Sequence, residues 1–342
     1  MKQPRITGMD IAIALILPFV VYYGIYLDLG QNRDVFPRAE LHLLLDGATA
    51  FFLFALAVST GLSISTGSGL KGLQRYLLKR GLFFLLLGGL LSIIWPTNIF
   101  ILLGACSLIS ALIIPLNSTF LFFVAAMVVI VGVALNQFGN AKISLDPWDD
   151  NLPMSLVKHI ATDGYYAVVP WLFFWLLGII YSRGDFFSKR GKELRSMFGL
   201  VLLLIGIGIE FIFENWILSS SAPQHPFSRE SIFDLHLPAF IFGASGLSII
   251  VFNFIMSYYE KLPTNAMGDF IRYFGKMKYS ILAAQGIVGG ILGFKLVGLE
   301  TYGAYSVIGM GIIGTVIGGL VSYFWTKRFG LGPVVKVLKM LN

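Results

Sequence analysis

The chain has 342 residues, 56% of them hydrophobic and 13% charged, with a formal net charge of +7. About a quarter of the residues of a soluble domain are charged, so this composition excludes an ordinary soluble fold. A basic balance suggests nucleic acid only where the basic residues cluster on one surface, and here they alternate along the chain instead.

Ten apolar helices are predicted, near residues 8–27, 42–64, 79–95, 98–115, 118–136, 164–182, 196–218, 237–258, 279–297 and 302–326. At 1.5 Å per residue, about 20 apolar residues match the roughly 30 Å hydrocarbon core of a bilayer. The expectation is an all-α polytopic membrane bundle, in which residues 1–342 form a single domain. The longest intervening piece, 137–163, is too short for a domain of its own. Of the 25 Lys and Arg residues, 19 fall on one set of alternate connections, five on the other, and Lys295 within a span. The positive-inside rule then predicts a cytoplasmic N-terminus, a cytoplasmic C-terminus and an even number of spans.

The first span opens with Arg5 and Asp10. It carries an acid, exceeds the length of a signal-peptide core and lacks a small-residue cleavage site, so it is expected to stay. The second span enters with His42 and Asp46. These are i and i+4, hence on one helix face about one turn apart. A carboxylate beside an imidazole orients it and raises its basicity, as a general base requires. The plainer alternative is an interfacial His and a capping Asp. Lys79 and Arg80 open the third span, and with Arg5, Asp10, Lys276 and Lys278 they form an inner cluster suited to phosphate, or to topology alone. Ser65 to Lys71 superficially resembles a phosphate loop but lacks its spacing and preceding strand. Cys106 in the fourth span is the sole cysteine, which excludes a disulfide and any Cys-rich metal site.

Tyr165, Tyr166, Trp171 and Trp175 belong to the outer half of the sixth span, as an aromatic belt or a carbohydrate-stacking platform. Glu210 and Glu214 share a face of the seventh span. An ionisable group within a span costs about 2.5–3.5 kcal/mol on insertion scales, which marks each as a functional candidate or part of a buried network. Lys295, His236 and His42 are their candidate partners. His236 stands where a loop enters the eighth span. Four His without metal-type spacing predict no protein-bound metal. Gly289, Gly290 and Gly309, Gly311, Gly314, Gly318 and Gly319 signal close helix packing.

Several segments, in order, resemble a known family. Tyr76 to Gly89, with its basic pair and Leu-rich run, and Ile93-Ile-Trp-Pro-Thr-Asn-Ile99 resemble the third and fourth spans of YeiB-like membrane proteins. Asp46-Gly-Ala-Thr-Ala-Phe-Phe-Leu-Phe-Ala55 is similar to the second-span signature of heparan-alpha-glucosaminide N-acetyltransferases and their bacterial relatives. Tyr165-Tyr-Ala-Val-Val-Pro-Trp171 with Gly178 is similar to their sixth-span motif, and Arg328 to Pro333 to the terminal Gly-Pro segment of the YeiB-like branch. Two elements depart from the pattern. Met9-Asp-Ile-Ala-Ile-Ala14 keeps the family's Asp without its Arg-Gly, and the Pro-Pro before the eighth span is reduced to His236-Leu-Pro238.

The resemblance implies a transmembrane acyltransferase using acetyl-CoA or another acyl-CoA as co-substrate, with delivery to an extracytoplasmic acceptor such as a sugar. His42 and Asp46 would be catalytic. Arg5, Asp10, Lys79, Arg80 and Lys276 would hold the donor, and Glu210, Glu214, His236 and Trp171 the acceptor. The expected partners are membrane lipids, acyl-CoA and the acceptor, without nucleic acid; a homodimer is among the assemblies allowed. The expected location is the plasma membrane. The intramembrane carboxylates leave a second reading open, a proton-coupled transporter or flippase.

Overall fold

The computed structural model describes residues 7–29, 38–65, 70–95, 98–138, 166–183, 188–219, 237–258, 266–288 and 304–340. These residues form twelve helices and no strand. They are α1 (Thr7–Leu29), α2 (Arg38–Ser65), α3 (Leu70–Ser92), α4 (Phe100–Ile113), α5 (Ser118–Phe138) and α6 (Val168–Ser182). Then follow α7 (Lys189–Ser219), α8 (Leu237–Tyr258), α9 (Ala266–Lys276), α10 (Lys278–Val288), α11 (Ala304–Phe329) and α12 (Pro333–Met340).

The apolar residues divide into two populations. One fills the interior: Phe52, Phe54, Phe84, Phe100, Trp171, Phe174 and Trp175 are almost wholly buried. The other covers the outside, as with Leu78, Leu82, Leu86 and Leu90 along α3 and Ile312, Ile313, Val316 and Phe324 along α11. Apolar stripes of this extent on a water-soluble monomer would drive aggregation; against lipid chains they are the required surface. Among the described residues, three segments are long and apolar enough to cross a bilayer: Leu43–Leu62, Arg190–Ile212 and Leu237–Tyr258. Shorter apolar helices run over Gly8–Tyr23, Phe100–Ile113, Ser118–Ala134 and Val168–Ser182.

Burial ranks the helices. In the apolar window of α2, 78% of residues are buried, against 17% in that of α7. α2 is therefore central, packed on α1, α6 and α8, while α7 is peripheral and held mainly by α8. Backbone approach at glycines sets the closest contacts. A Cβ on Gly178 of α6 would stand 2.5 Å from the Phe54 carbonyl oxygen and 2.7 Å from the Ala57 Cβ of α2. On α11, Gly311 faces the Tyr22 ring and Gly319 the Phe270 ring, whereas a Cβ on Gly309 or Gly314 would meet no described neighbour within 4 Å. Small-residue packing thus holds for part of the predicted stripe; Gly289 and Gly290 lie outside the described residues.

Several elements differ from the sequence expectation; α7 starts at Lys189, seven residues early, and α12 was not expected. α3 starts at Leu70, nine residues early, because the basic segment around Lys71 and Arg75 extends the helix with its charges exposed. The predicted ninth span is preceded by α9, an amphipathic helix broken from α10 only at Met277, whose N–H bonds back to the Tyr273 and Phe274 carbonyls. α10 itself ends at Val288, and residues 289–303 lie outside the described residues. Between α3 and α4, Asn98 ties the turn together. Its amide donates to Ser92 Oγ (2.9 Å) and the Trp95 carbonyl (3.0 Å), and its oxygen accepts the Phe100 N–H (3.2 Å).

Gly178→Ala is expected to destabilise by roughly 1–3 kcal/mol, since backbone and Ala57 cannot yield as a flexible side chain would. Gly314→Ala, with open space around it, should be neutral or slightly stabilising. Thermal unfolding of both variants in detergent checks the pair, and equal midpoints would contradict the contact.

Candidate functional site

α1 and α2 run antiparallel, and each carries one polar group near either end. At the end where α1 finishes and α2 begins, Tyr23 Oη donates a hydrogen bond to Asp46 Oδ1, with both side chains buried. The Tyr23 ring meets Tyr166 edge-on at 6.4 Å, and Tyr166 meets Trp171 at 6.3 Å. Tyr166 also lines a small, partly open cleft with Val20, Trp95, Phe100, Gln285 and Gly286. Gln285 Nε2 donates to the Val21 carbonyl at 2.6 Å, which fastens the α10 wall of this cleft to α1.

Arg80 of α3 occupies the opposite end, its residue only 6% exposed. Its Nη1 donates to Thr60 Oγ1 of α2 (3.3 Å) and its Nη2 to Tyr279 Oη of α10 (2.8 Å). The guanidinium carbon lies 5.4, 5.8 and 5.6 Å from the ring centres of Phe84, Trp175 and Tyr279. Ring faces attract a cation most where water is excluded, so the aromatic cage compensates part of the desolvation of the charge. Arg80 Nε is buried and has no hydrogen-bond partner among the described residues. Trp175 is itself held, donating from Nε1 to Ser110 Oγ at 2.6 Å. In the same region Lys278 Nζ stands 3.7 Å from Asp10 Oδ1, joining the starts of α1 and α10.

The residues singled out from the sequence are thereby sorted. Asp46 and Arg80 sit in two separate polar layers, 14 residues apart as measured along α2 from Asp46 to Thr60, or about 21 Å. Asp10 belongs to the Arg80 layer. Lys79, next to Arg80, is exposed, because consecutive helical positions point some 100° apart. Lys276 is half-buried, with Nζ 5.0 Å from the Tyr273 ring centre. Trp171 is a core residue, 1% exposed, which reaches the cleft only through Tyr166. Glu210 is half-buried on α7, and α7 packs on α8 rather than on α2. His42 is part of α2, one turn before Asp46. Arg5, His236 and the side chains of His42 and Glu214 lie outside the described residues. Tyr23, Lys278 and Tyr279 complete the two layers; Lys278 was read from the sequence as one cation of the inner cluster, while Tyr23 and Tyr279 were not singled out. Tyr23 and Tyr279 read as ordinary aromatic residues of their spans, and only their partners mark them.

The family model for the catalytic domain of heparan-alpha-glucosaminide N-acetyltransferase matches residues 5–209, well over half of the chain. The chain belongs to this acetyltransferase family. No individual curated protein matches it. The apolar helices and the family together make it a membrane protein. The matched part carries Asp10, Tyr23, His42, Asp46, Thr60 and Arg80. Lys278 and Tyr279, which close the Arg80 layer, lie beyond it, as do Glu210 and Glu214.

The Tyr23–Asp46 bond is expected to couple the two residues by about 0.5–3 kcal/mol, the range for side chains in one hydrogen-bond pair. Tyr23→Phe and Asp46→Asn should each lower the unfolding midpoint. The double variant should fall short of the sum of the two, and strictly additive losses would show the two side chains to be independent.

Proposed function

We propose that this protein is a membrane acetyltransferase that takes the acyl group of cytoplasmic acetyl-CoA and delivers it to a hydroxyl or amine of a sugar beyond the membrane. The observation that carries this reading is the pair of polar layers on α1 and α2. One is cationic and lies at the end that the charge distribution makes cytoplasmic. The other is a buried carboxylate–phenol pair beside a cleft at the opposite end. The reading includes ten spans with both termini in the cytoplasm, and the plasma membrane as location.

In this scheme Arg80 and Lys278 hold the phosphates of the donor, where cationic side chains recognise oxyanions. Arg5, Asp10, Lys79 and Lys276 complete that mouth. His42 removes the proton from the acceptor as its oxygen or nitrogen attacks the thioester carbonyl carbon. The C–S bond breaks and the proton passes to the departing thiolate. Asp46 orients His42 from one turn away, and Tyr23 holds Asp46. The acceptor occupies the cleft beside Tyr166 and Gln285, with Trp171 behind Tyr166; Glu214 and His236 are assigned to the acceptor by the same reading.

The test is acetyl-CoA binding to the protein in detergent, together with transfer of labelled acetyl to sugar acceptors. His42→Ala should lose turnover by about 10²-fold or more while binding is kept, the range for a general base. Arg80→Gln should weaken donor binding by roughly tenfold, the equivalent of about 1.4 kcal/mol. Absence of acyl-CoA binding in the wild type would sink the reading. Sugar flux that collapses with the proton gradient would then indicate a carrier.

A further inference from the structure

The C-terminal segment carries chemistry that acyl transfer does not use. α11 ends in Trp325, Lys327, Arg328 and Phe329, all exposed at the surface. The chain then turns at Gly330, whose φ of +77° is a left-handed conformation that glycine adopts without strain, and whose N–H bonds to the Thr326 carbonyl at 2.8 Å. Trp325 Nε1 donates to the Leu331 carbonyl at 3.0 Å and fixes the turn. Pro333 then opens α12, where a missing N–H costs nothing.

α12 has three sectors. Val334, Val335 and Leu338 pack inward, with Leu338 only 3% exposed. Pro333, Val337 and Met340 fall within about 60° of arc on another side; Val337 is 42% and Met340 73% exposed. Lys336 and Lys339 occupy the sector beside them, both exposed. The helix is docked as a unit on α10, where the Val334 N–H donates to Ser280 Oγ at 3.3 Å. A helix with one face in protein, one apolar face outward and a cationic strip at its edge fits the plane of a membrane interface. Trp325 and Phe329, ring centres 4.6 Å apart, stand at the end of a membrane helix where aromatic belts form. No Asp or Glu follows Glu300, so nothing in the C-terminal 42 residues offsets these cations.

We infer that α12 and the end of α11 form a binding surface for anionic phospholipid headgroups in the leaflet they face. Lys336, Lys339, Lys327 and Arg328 meet the phosphates, and Val337 and Met340 enter the upper acyl region. A cluster of four Lys and Arg residues beside a membrane helix is the composition that recognises anionic lipid. The inference stands apart from the acetyltransferase reading, and its readout is not activity.

The experiment uses the full chain in nanodiscs of pure phosphatidylcholine or with phosphatidylglycerol added, and measures the thermal unfolding midpoint. Phosphatidylglycerol should raise the midpoint of the wild type, and Lys336→Gln/Lys339→Gln should lose most of that rise. Lys71→Gln/Arg75→Gln, which removes two exposed cations of α3, should keep it. An equal rise in the wild type and the Lys336/Lys339 variant overturns the inference. So does an equal loss in the α3 variant, which would mean net charge alone, or the same rise with inorganic phosphate, which would mean a soluble anion.

Discussion

A guanidinium inside a membrane bundle must have its charge held by the protein, and in this chain the holding decides how the helices meet. Arg80 collects Thr60 from α2, Phe84 from its own helix, Trp175 from α6 and Tyr279 from α10. Removing any of these leaves a buried cation less compensated, which is a far larger loss than a missing apolar contact. Four helices are thus committed to one arrangement by one side chain. The rest of the interior, mostly Phe, Leu and Trp, would tolerate other packings, because dispersion forces are non-directional and lipid offers the same apolar surroundings.

The second polar layer works on a smaller scale. Asp46 is buried with a phenol as its hydrogen-bond donor instead of a cation. A phenol fixes one carboxyl oxygen without adding a cation, which leaves the other oxygen for a further partner. The two layers therefore differ in kind: one stores a cation against ring faces, the other an acid against a hydroxyl. That difference matches a bundle with distinct tasks at its two faces.

Much of this was legible in the sequence, and the limits are physical. The helical class, the second-span Asp and the basic start of the third span follow from hydropathy and charge, because the bilayer penalises polar groups strongly enough to make each stand out. Family membership was legible too, since the motif order survives where single motifs are weak. What sequence did not separate was Lys79 from Arg80. Both are cations in one dipeptide, and only helix phase puts one outside and the other inside. Nor did it select Tyr23, whose role depends on lying opposite Asp46 across an antiparallel hairpin. Lys278 was read as one cation among several; its pairing with Asp10 comes from α10, a helix more than 260 residues away in the chain. The amphipathic α9 was missed because its polar positions interrupt the apolar run that a span search follows.

α10 bridges the cationic layer and the cleft. Its first residues, Lys278 and Tyr279, belong to the cationic layer, and Gln285 and Gly286 wall the cleft about two turns later. An eleven-residue helix has little capacity to bend, so it holds the Arg80 layer and the cleft wall at a fixed spacing. A substitution that kinks or shortens it would therefore shift Tyr279 and Gln285 together.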